Sequence, residues 1–356
     1  VKRLTFDLEF ITPAFIGGAN QQAELRPASF VGLLRWWWRA LKGECKIEEL
    51  REEEVKIFGG DGKMASPVYL RVEGDVRKGE DLINEYRLSW SFDKNRRALI
   101  GPHAGVGYLY YSMIPKKKRN GQEEKGREFI EVGSRLKLTL IGKDEVLNHY
   151  IASLWALVFL GGVGARSRRG GGNLRVIDYN PKDLGISFTP TGDLYEWLSK
   201  NLEKAKDLVG SSKNSCNKYS NLPSPENSDF KLELSKTKFN TWFEALNDIG
   251  NRFMNFRVKN RHRVFDTAVF GIPVRHSNGQ FVEAERGIRR RSSPVIIKVV
   301  KTPEDKYHWM ALKLSGKFLP DGVKLRFMEK TGEPSSDLDL IGEFFQELGR
   351  KGGAKK

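Results

Sequence analysis

From Val146 to Leu160 the chain is apolar on nearly every side of a helix. A helix without a polar face has to be wrapped by other elements, which makes it the centre of a layered domain. It is followed by a glycine- and arginine-rich stretch, Gly161 to Asn173, and then by Arg175 to Ile177, read as a short strand. At the other end of the chain, Leu4, Phe6, Leu8 and Phe10 alternate with Thr5, Asp7, Glu9 and Ile11, the pattern of a half-buried strand. Thr12-Pro13 ends it, and a polar loop from Ile16 to Arg26 follows. Pro27 and Ser29 supply helix-start chemistry and Gly43 a stop. Between them Phe30, Leu33, Leu34, Trp37 and Leu41 share one face. Successive helical residues turn by about 100°, so the three tryptophans diverge. Trp37 is expected to point inward, Trp38 to sit on the flank, and Trp36 to point away beside Gly32, Arg35 and Arg39. Val68 to Val72 and Leu136 to Ile141 read as further strands, so the first half runs βαββαβ, the split βαβ arrangement of ferredoxin-like domains.

A short self-similarity extends this reading. Ile57-Phe58-Gly59 precedes Ser66-Pro67-Val68-Tyr69-Leu70-Arg71-Val72, and Val269-Phe270-Gly271 precedes Ser293-Pro294-Val295-Ile296-Ile297-Lys298-Val299. Each copy leads from a helical stretch through Phe-Gly to Ser-Pro and a strand with one basic residue, the mark of a duplicated unit. The expected fold is therefore α+β, with two ferredoxin-like (RRM-like) βαββαβ domains in tandem. The first spans 1–180 and carries the glycine-rich loop; the second, degenerate one spans 181–356. Lys204 to Ser228 is rich in Ser, Asn, Lys and Pro and reads as a mobile connection, as do Pro115 to Arg127 and the tail from Gly349.

Of the 356 residues, 61 are Lys or Arg and 45 are Asp or Glu, a formal charge of +16. Such an excess favours a polyanionic partner; scattered surface charge is the plainer alternative. No apolar run reaches the length of a membrane span, and Val1-Lys2-Arg3-Leu4 leads into alternation rather than a secretory core. Cys45 and Cys216 stand far apart without metal-ligand neighbours, which predicts a reducing, cytoplasmic compartment with no disulfide framework, metal or cofactor.

Three constellations carry candidate chemistry. In the loop, Gly164 and Gly170 permit close backbone approach while Arg166, Arg168 and Arg169 offer planar forks suited to phosphates and bases. A flexible, solvated turn is the alternative. The spacing matches neither the dinucleotide nor the Walker fingerprint, so an extended polyanion is a better ligand than ATP or NAD. The second group is Arg35, Trp36 and Arg39 on the outer face of the first helix, with Arg26 ahead of it; such residues serve base stacking and protein interfaces alike. The third is Arg286 with Arg289, Arg290 and Arg291, against the alternative of a solvated face. Lys116-Lys117-Lys118-Arg119 reads as a solvated loop tip.

Together these segments resemble the RAMP superfamily of CRISPR-associated proteins, whose glycine-rich signature precedes a terminal ferredoxin-like strand as Gly161 to Asn173 does here. More narrowly, three stretches are similar to subunit one of the type III-B effector, the Cmr complex. They are Thr12-Pro13-Ala14-Phe15-Ile16-Gly17-Gly18 with Glu24-Leu25-Arg26-Pro27, then Gly32-Leu33-Leu34-Arg35-Trp36-Trp37-Trp38-Arg39-Ala40, and Arg290-Arg291-Ser292-Ser293-Pro294. The resemblance implies a prokaryotic ribonucleoprotein subunit that binds CRISPR RNA, single-stranded target RNA or both, near the 3′ end of the guide. It also implies neighbouring RAMP subunits as partners and cleavage by a different subunit.

The rival class is a metal-independent ribonuclease, because some RAMP relatives cut precursor CRISPR RNA. That chemistry needs an acid and a base, commonly histidine, near the ribose 2′-hydroxyl. Of His103, His149, His262, His276 and His308, none lies in the glycine-rich loop, and only His103, in Gly101-Pro102-His103-Ala104-Gly105, is a candidate. No carboxylate cluster has divalent-metal spacing, so no catalytic residue is assigned. A protein-only adaptor is the third class.

Overall fold

The computed structural model describes the chain except residues 21, 44–45, 61, 63, 118–122, 212–224, 226–228, 276–278, 335–338 and 351–356. Strand β1 (Lys2–Phe10) lies at the middle of a four-stranded sheet with β2 (Tyr69–Glu73), β3 (Arg135–Gly142) and β4 (Leu174–Asn180). The order is β4-β1-β3-β2, with every pairing antiparallel. Leu4, Phe6 and Leu8 stand opposite Leu140, Leu138 and Leu136. All six are buried against α1 (Pro27–Lys42) and α4 (Asp144–Phe159), as their alternation requires. Pro27 opens α1, and Gly43 closes it at φ 62, the left-handed conformation that glycine adopts without cost.

Two elements were not separate in the sequence reading. Helix α2 (Ile47–Phe58) follows α1, and residues 74–134 intervene between β2 and β3, including the short helix α3 (Ala104–Tyr110). Helix α5 (Leu194–Val209) takes in Lys204 to Val209, so the expected mobile connection is helical over its first turn and a half; most of the remainder lies outside the described residues. The Asp193 side chain caps α5 by accepting from the Glu196 N–H at 3.0 Å. Lys116–Lys117 pairs with Glu123–Glu124 in a hairpin whose tip lies outside the described residues.

The second half builds a three-stranded antiparallel sheet from β5 (Lys231–Leu234), β8 (Val295–Lys301) and β9 (Tyr307–Lys313), ordered β5-β9-β8. Helix α6 (Trp242–Lys259) lies between β5 and β8 in sequence, and α7 (Asp339–Arg350) follows β9. This is βαββα: three strands in the order of β1, β3 and β2 of the first sheet, without a fourth among the described residues. A peripheral sheet is inserted, made of β6 (Val274–Arg275), β7 (Phe281–Ala284), β10 (Leu325–Phe327) and β11 (Lys330–Gly332) in the order β6-β7-β10-β11.

The duplicated motif has a physical basis. Gly59 and Gly271 both take positive φ after their Phe. Ser66 Oγ then accepts from the Val68 N–H at 3.1 Å and Ser293 Oγ from the Val295 N–H at 3.0 Å, the same turn at the same strand entry. The basic residue differs between copies. Arg71 is exposed and paired with Glu73, whereas Lys298 is fully buried and donates to the Val158 carbonyl near the end of α4.

That difference follows from how the halves join. Ile296, Val300, Met310 and Leu312 belong to the core of the first sheet and α4. Val295, Ile297, Val299 and Trp309 belong to a second core with α6 and α7, which also takes in Ile11, Phe15 and Phe129. Both cores therefore draw on both sides of residue 180. With both faces covered, β8 and β9 read as continuous apolar runs.

Burial pulls the Lys298 ammonium well below its ordinary value of 10.5. Between that lowered value and 10.5 the unfolded chain binds the proton and the folded chain does not, so this residue makes stability rise with pH. Relative to Lys298→Met, the parent is expected to gain up to about 1.4 kcal/mol per pH unit across that interval, and none above it. Urea unfolding of both proteins from pH 6 to pH 10 checks this.

Candidate nucleic-acid interface

The Gly161 to Asn173 loop does not lie open to solvent. A Cβ on Gly172 would come within 1.9 Å of the Val163 carbonyl oxygen, and one on Gly170 within 2.4 Å of Leu246 in α6. Glycine is required there because the loop folds on itself and presses on the second half. Gly164 lies as close to Phe15: its Cβ would meet the Phe15 carbonyl oxygen at 2.7 Å. The Gly170 carbonyl accepts from the buried Tyr110 hydroxyl at 2.7 Å. Asn173 joins three segments: its N–H donates to Thr12 Oγ1, its Nδ2 to the Gly161 carbonyl, and its Oδ1 accepts from the Val299 N–H.

Two of the three loop arginines differ from expectation. Arg169 Nη1 donates to the carbonyls of Arg168 and Val295, both at 2.8 Å, and Nη2 to that of Phe270 at 3.0 Å. Its guanidinium lies 5.0 Å from the Phe253 ring centre. Arg168 donates to the Ser293 carbonyl and lies 5.1 Å from the Trp36 ring centre. Neither is paired with a carboxylate among the described residues. Burial, then the neighbouring guanidinium groups, pull Arg169 down to about 9; burial and Arg291 pull Arg168 down to about 10. These side chains hold the two halves together instead of facing a ligand. The sequence alone did not show this because their acceptors are main-chain carbonyls far along the chain.

The outer face of α1 is also covered. Arg35 Nε and Arg39 Nη1 both reach Glu54 of α2, at 2.8–2.9 Å, and Arg35 Nη2 donates to the Gly59 carbonyl. Trp36 is half-buried, set edge-on to Trp37 under the Arg168 guanidinium. Trp38, expected on the flank, is fully buried, its Nε1 donating to His149 Nδ1 at 3.1 Å. The expectation of an open stacking face fails because α2 packs where solvent was assumed.

Arg166 turns the other way. It sits at φ 62, and its carbonyl accepts from the N–H groups of Arg169 and Gly171, which fixes the turn. Its guanidinium lies 4.3 Å from the ring centre of Tyr111, an aromatic 57% exposed. Nε donates to Ser112 Oγ at 2.9 Å, while Nη2 is enclosed without a partner among the described residues. Four loops converge here. Ala165 bridges Phe15, Ala14 bridges Ile130, the Ala23 N–H donates to Glu128, and the Arg127 N–H donates to the Met113 carbonyl. Arg127 Nε is a second enclosed donor without a partner among the described residues. Arg26, on the loop that begins at Ile16, is exposed and paired with Glu24 at 3.0 Å. Tyr111, Ser112 and Arg127 were missed in the sequence; the exposed aromatic after Tyr108-Leu109-Tyr110 was the available signal.

The last arginine group divides. Arg291 donates to the Phe318 and Lys317 carbonyls at 2.9 and 3.2 Å, whereas Arg286, Arg289 and Arg290 are exposed. His103 Nδ1 accepts from the Ser89 N–H at 3.1 Å, and its ring packs edge-on to Phe243.

A profile of the RAMP superfamily matches residues 7–175, the segment that contains the first sheet and the glycine-rich loop. The Cmr subunit Cmr1-2 of the CRISPR system of Pyrococcus furiosus is 39% identical over 181 residues, 48% of this chain and 93% of the relative. The chain belongs to the Cmr1 family of the RAMP superfamily. In fold it is similar along its length to the crystal structure of apo Cmr1 from Pyrococcus furiosus, with a TM-score of 0.65 at 21% identity, covering 99% of this chain and 97% of that one. It is also similar to a chain of the type III-B Cmr-beta structure bound to cognate target RNA, with a TM-score of 0.56 at 15% identity and 99% of each chain covered. Among the described residues no helix is long and apolar enough to cross a membrane, and no three His, Cys, Asp or Glu side chains gather as a metal site would require.

The two kinds of loop arginine separate by measurement. Arg169→Ala leaves three carbonyls without their charged donor and is expected to cost at least about 2 kcal/mol in urea unfolding. Arg166→Ala, at the rim, is expected to cost no more than about 1 kcal/mol.

Proposed function

We propose that this chain is a non-catalytic RNA-binding subunit of a prokaryotic, cytoplasmic type III-B CRISPR ribonucleoprotein. It contacts CRISPR RNA near its 3′ end, target RNA, or both, beside other RAMP subunits. The observation that carries this reading is the Arg166 corner: a guanidinium stacked on an exposed tyrosine where the glycine-rich loop meets the loop that carries Phe15. Unpaired bases stack on such rings and guanidinium planes, and a guanidinium held at the rim attracts a phosphate. The net charge of +16 and the Cmr1 family membership support the same reading. The engagement of His103 by Ser89 and Phe243 supports a structural role for the one candidate catalytic histidine.

The test is single-stranded RNA binding by fluorescence anisotropy across a salt series. Arg166→Ala is expected to weaken binding and to flatten the slope of log K against log salt by about 0.7. Tyr111→Ala is expected to weaken it by about 1–3 kcal/mol with the slope unchanged. Parent-like affinity in both variants, or cutting of labelled repeat RNA that depends on His103, contradicts the assignment.

A further inference from the structure

The peripheral sheet carries two adjoining clefts that share Glu283 and Arg326, which face each other across β7 and β10. One end is apolar, with Phe281 43% and Met328 57% exposed. The other is basic, a space of about 630 Å³ flanked by Arg286 and Arg289. Arg286 at φ 55 and Gly287 at φ 75 reverse the chain, and the Arg289 N–H closes the turn on the Gly287 carbonyl at 3.0 Å. That turn sets both arginines on one cleft. Unlike the arginines between the two halves, Arg286, Arg289 and Arg326 are exposed, and their side chains make no ion pair or hydrogen bond among the described residues.

We propose that this cleft is a second station for single-stranded RNA, holding one unpaired ribonucleotide. The base stacks against Phe281 and Met328, and the phosphate lies between Arg286 and Arg289. At the middle, the Glu283 carboxylate accepts from the ribose 2′-hydroxyl or a base amino group, and Arg326 donates. A nucleotide has this sequence of chemistries along its length: an aromatic face, a donor-bearing edge and an anionic phosphodiester. An acidic peptide would satisfy the arginines but meet Glu283 and Glu285 inside the same cleft, and it would leave the aromatic end unused. The 2′-hydroxyl contact makes the site prefer RNA to DNA. This inference rests on the RNA-binding reading above and adds to it a site on the opposite half of the chain.

The test uses the full chain with fluorescein-labelled oligocytidylate of about a dozen nucleotides, as RNA and as DNA. The double variant R286A/R289A is expected to flatten the salt slope by about 0.7, the share of one phosphate. Phe281→Ala is expected to lose about tenfold in affinity at unchanged slope, and Phe281→Tyr to keep the parent value because the ring remains. Glu283→Gln is expected to narrow the preference for RNA over DNA. All these side chains are on the surface, so melting temperatures are expected to match the parent. If these variants bind like the parent while Arg166→Ala does not, the second station is wrong and the RNA-binding reading stands. If neither set changes binding, both are wrong. If the cleft variants keep RNA affinity but no longer assemble with the other subunits of a reconstituted complex, the cleft is a protein contact and the proposal is overturned.

Discussion

Guanidinium groups enclosed by main-chain carbonyls hold this fold together. Arg168 and Arg169 reach from a glycine-rich loop of the first half to Ser293, Val295 and Phe270 of the second, with aromatic rings lying under both cations. Removing a cation from water is costly unless its donors are met, and here carbonyl dipoles meet them without a counter-charge. The same loop closes on β8 through the Arg168 carbonyl and the Ile297 N–H at 3.1 Å. Once the loop is fixed in this way, its turn at Arg166 has nowhere to move. The arginines that look alike in sequence thus have different tasks, two joining the halves and one displayed at the rim by them.

Charge alone does not locate a binding surface on this protein. Arg35 and Arg39 share Glu54, Arg26 has Glu24, and Arg263 bridges Asp266 and Glu343. Whether exposed, as at Arg26, or part-buried, as at Glu54, such pairs lower the local potential and make a surface less attractive to phosphate. The informative cations combine the lack of an acid with a place beside an exposed aromatic ring, at Arg166 and around the peripheral cleft. Both lie where glycine or positive φ bends the chain, because a turn can aim several donors outward that a strand would alternate between faces.

What the sequence disclosed depended on how local each determinant was. The β1 alternation, the all-round apolar α4 and the glycine that ends α1 each act within a few residues, and each is found as expected. The strand entries at Ser66 and Ser293 were legible for the same reason, since their hydrogen bonds span two residues. Long-range matters were not. Nothing near Trp38 announces His149, nothing near Arg39 announces Glu54, and the carbonyls that receive Arg169 carry no side-chain signal at all. The absence of a fourth strand after α7 among the described residues also escaped the repeat, which matched only at the second strand of each unit.

The two larger sheets offer little open, unpaired surface. The open face of the first sheet is the surface on which many ferredoxin-like modules stack bases, yet here its charges are paired along the strands. Arg71 has Glu73, Lys137 has Asp7, and Arg135 and Arg175 both reach Glu9. The second sheet has no open face, being covered by α4 on one side and by α6 and α7 on the other. Of these two β-surfaces, one is thereby neutralised and the other buried. Cations beside exposed aromatic rings remain at the loop corner of Arg166 and on the peripheral sheet, on the two halves that the buried Arg168 and Arg169 join.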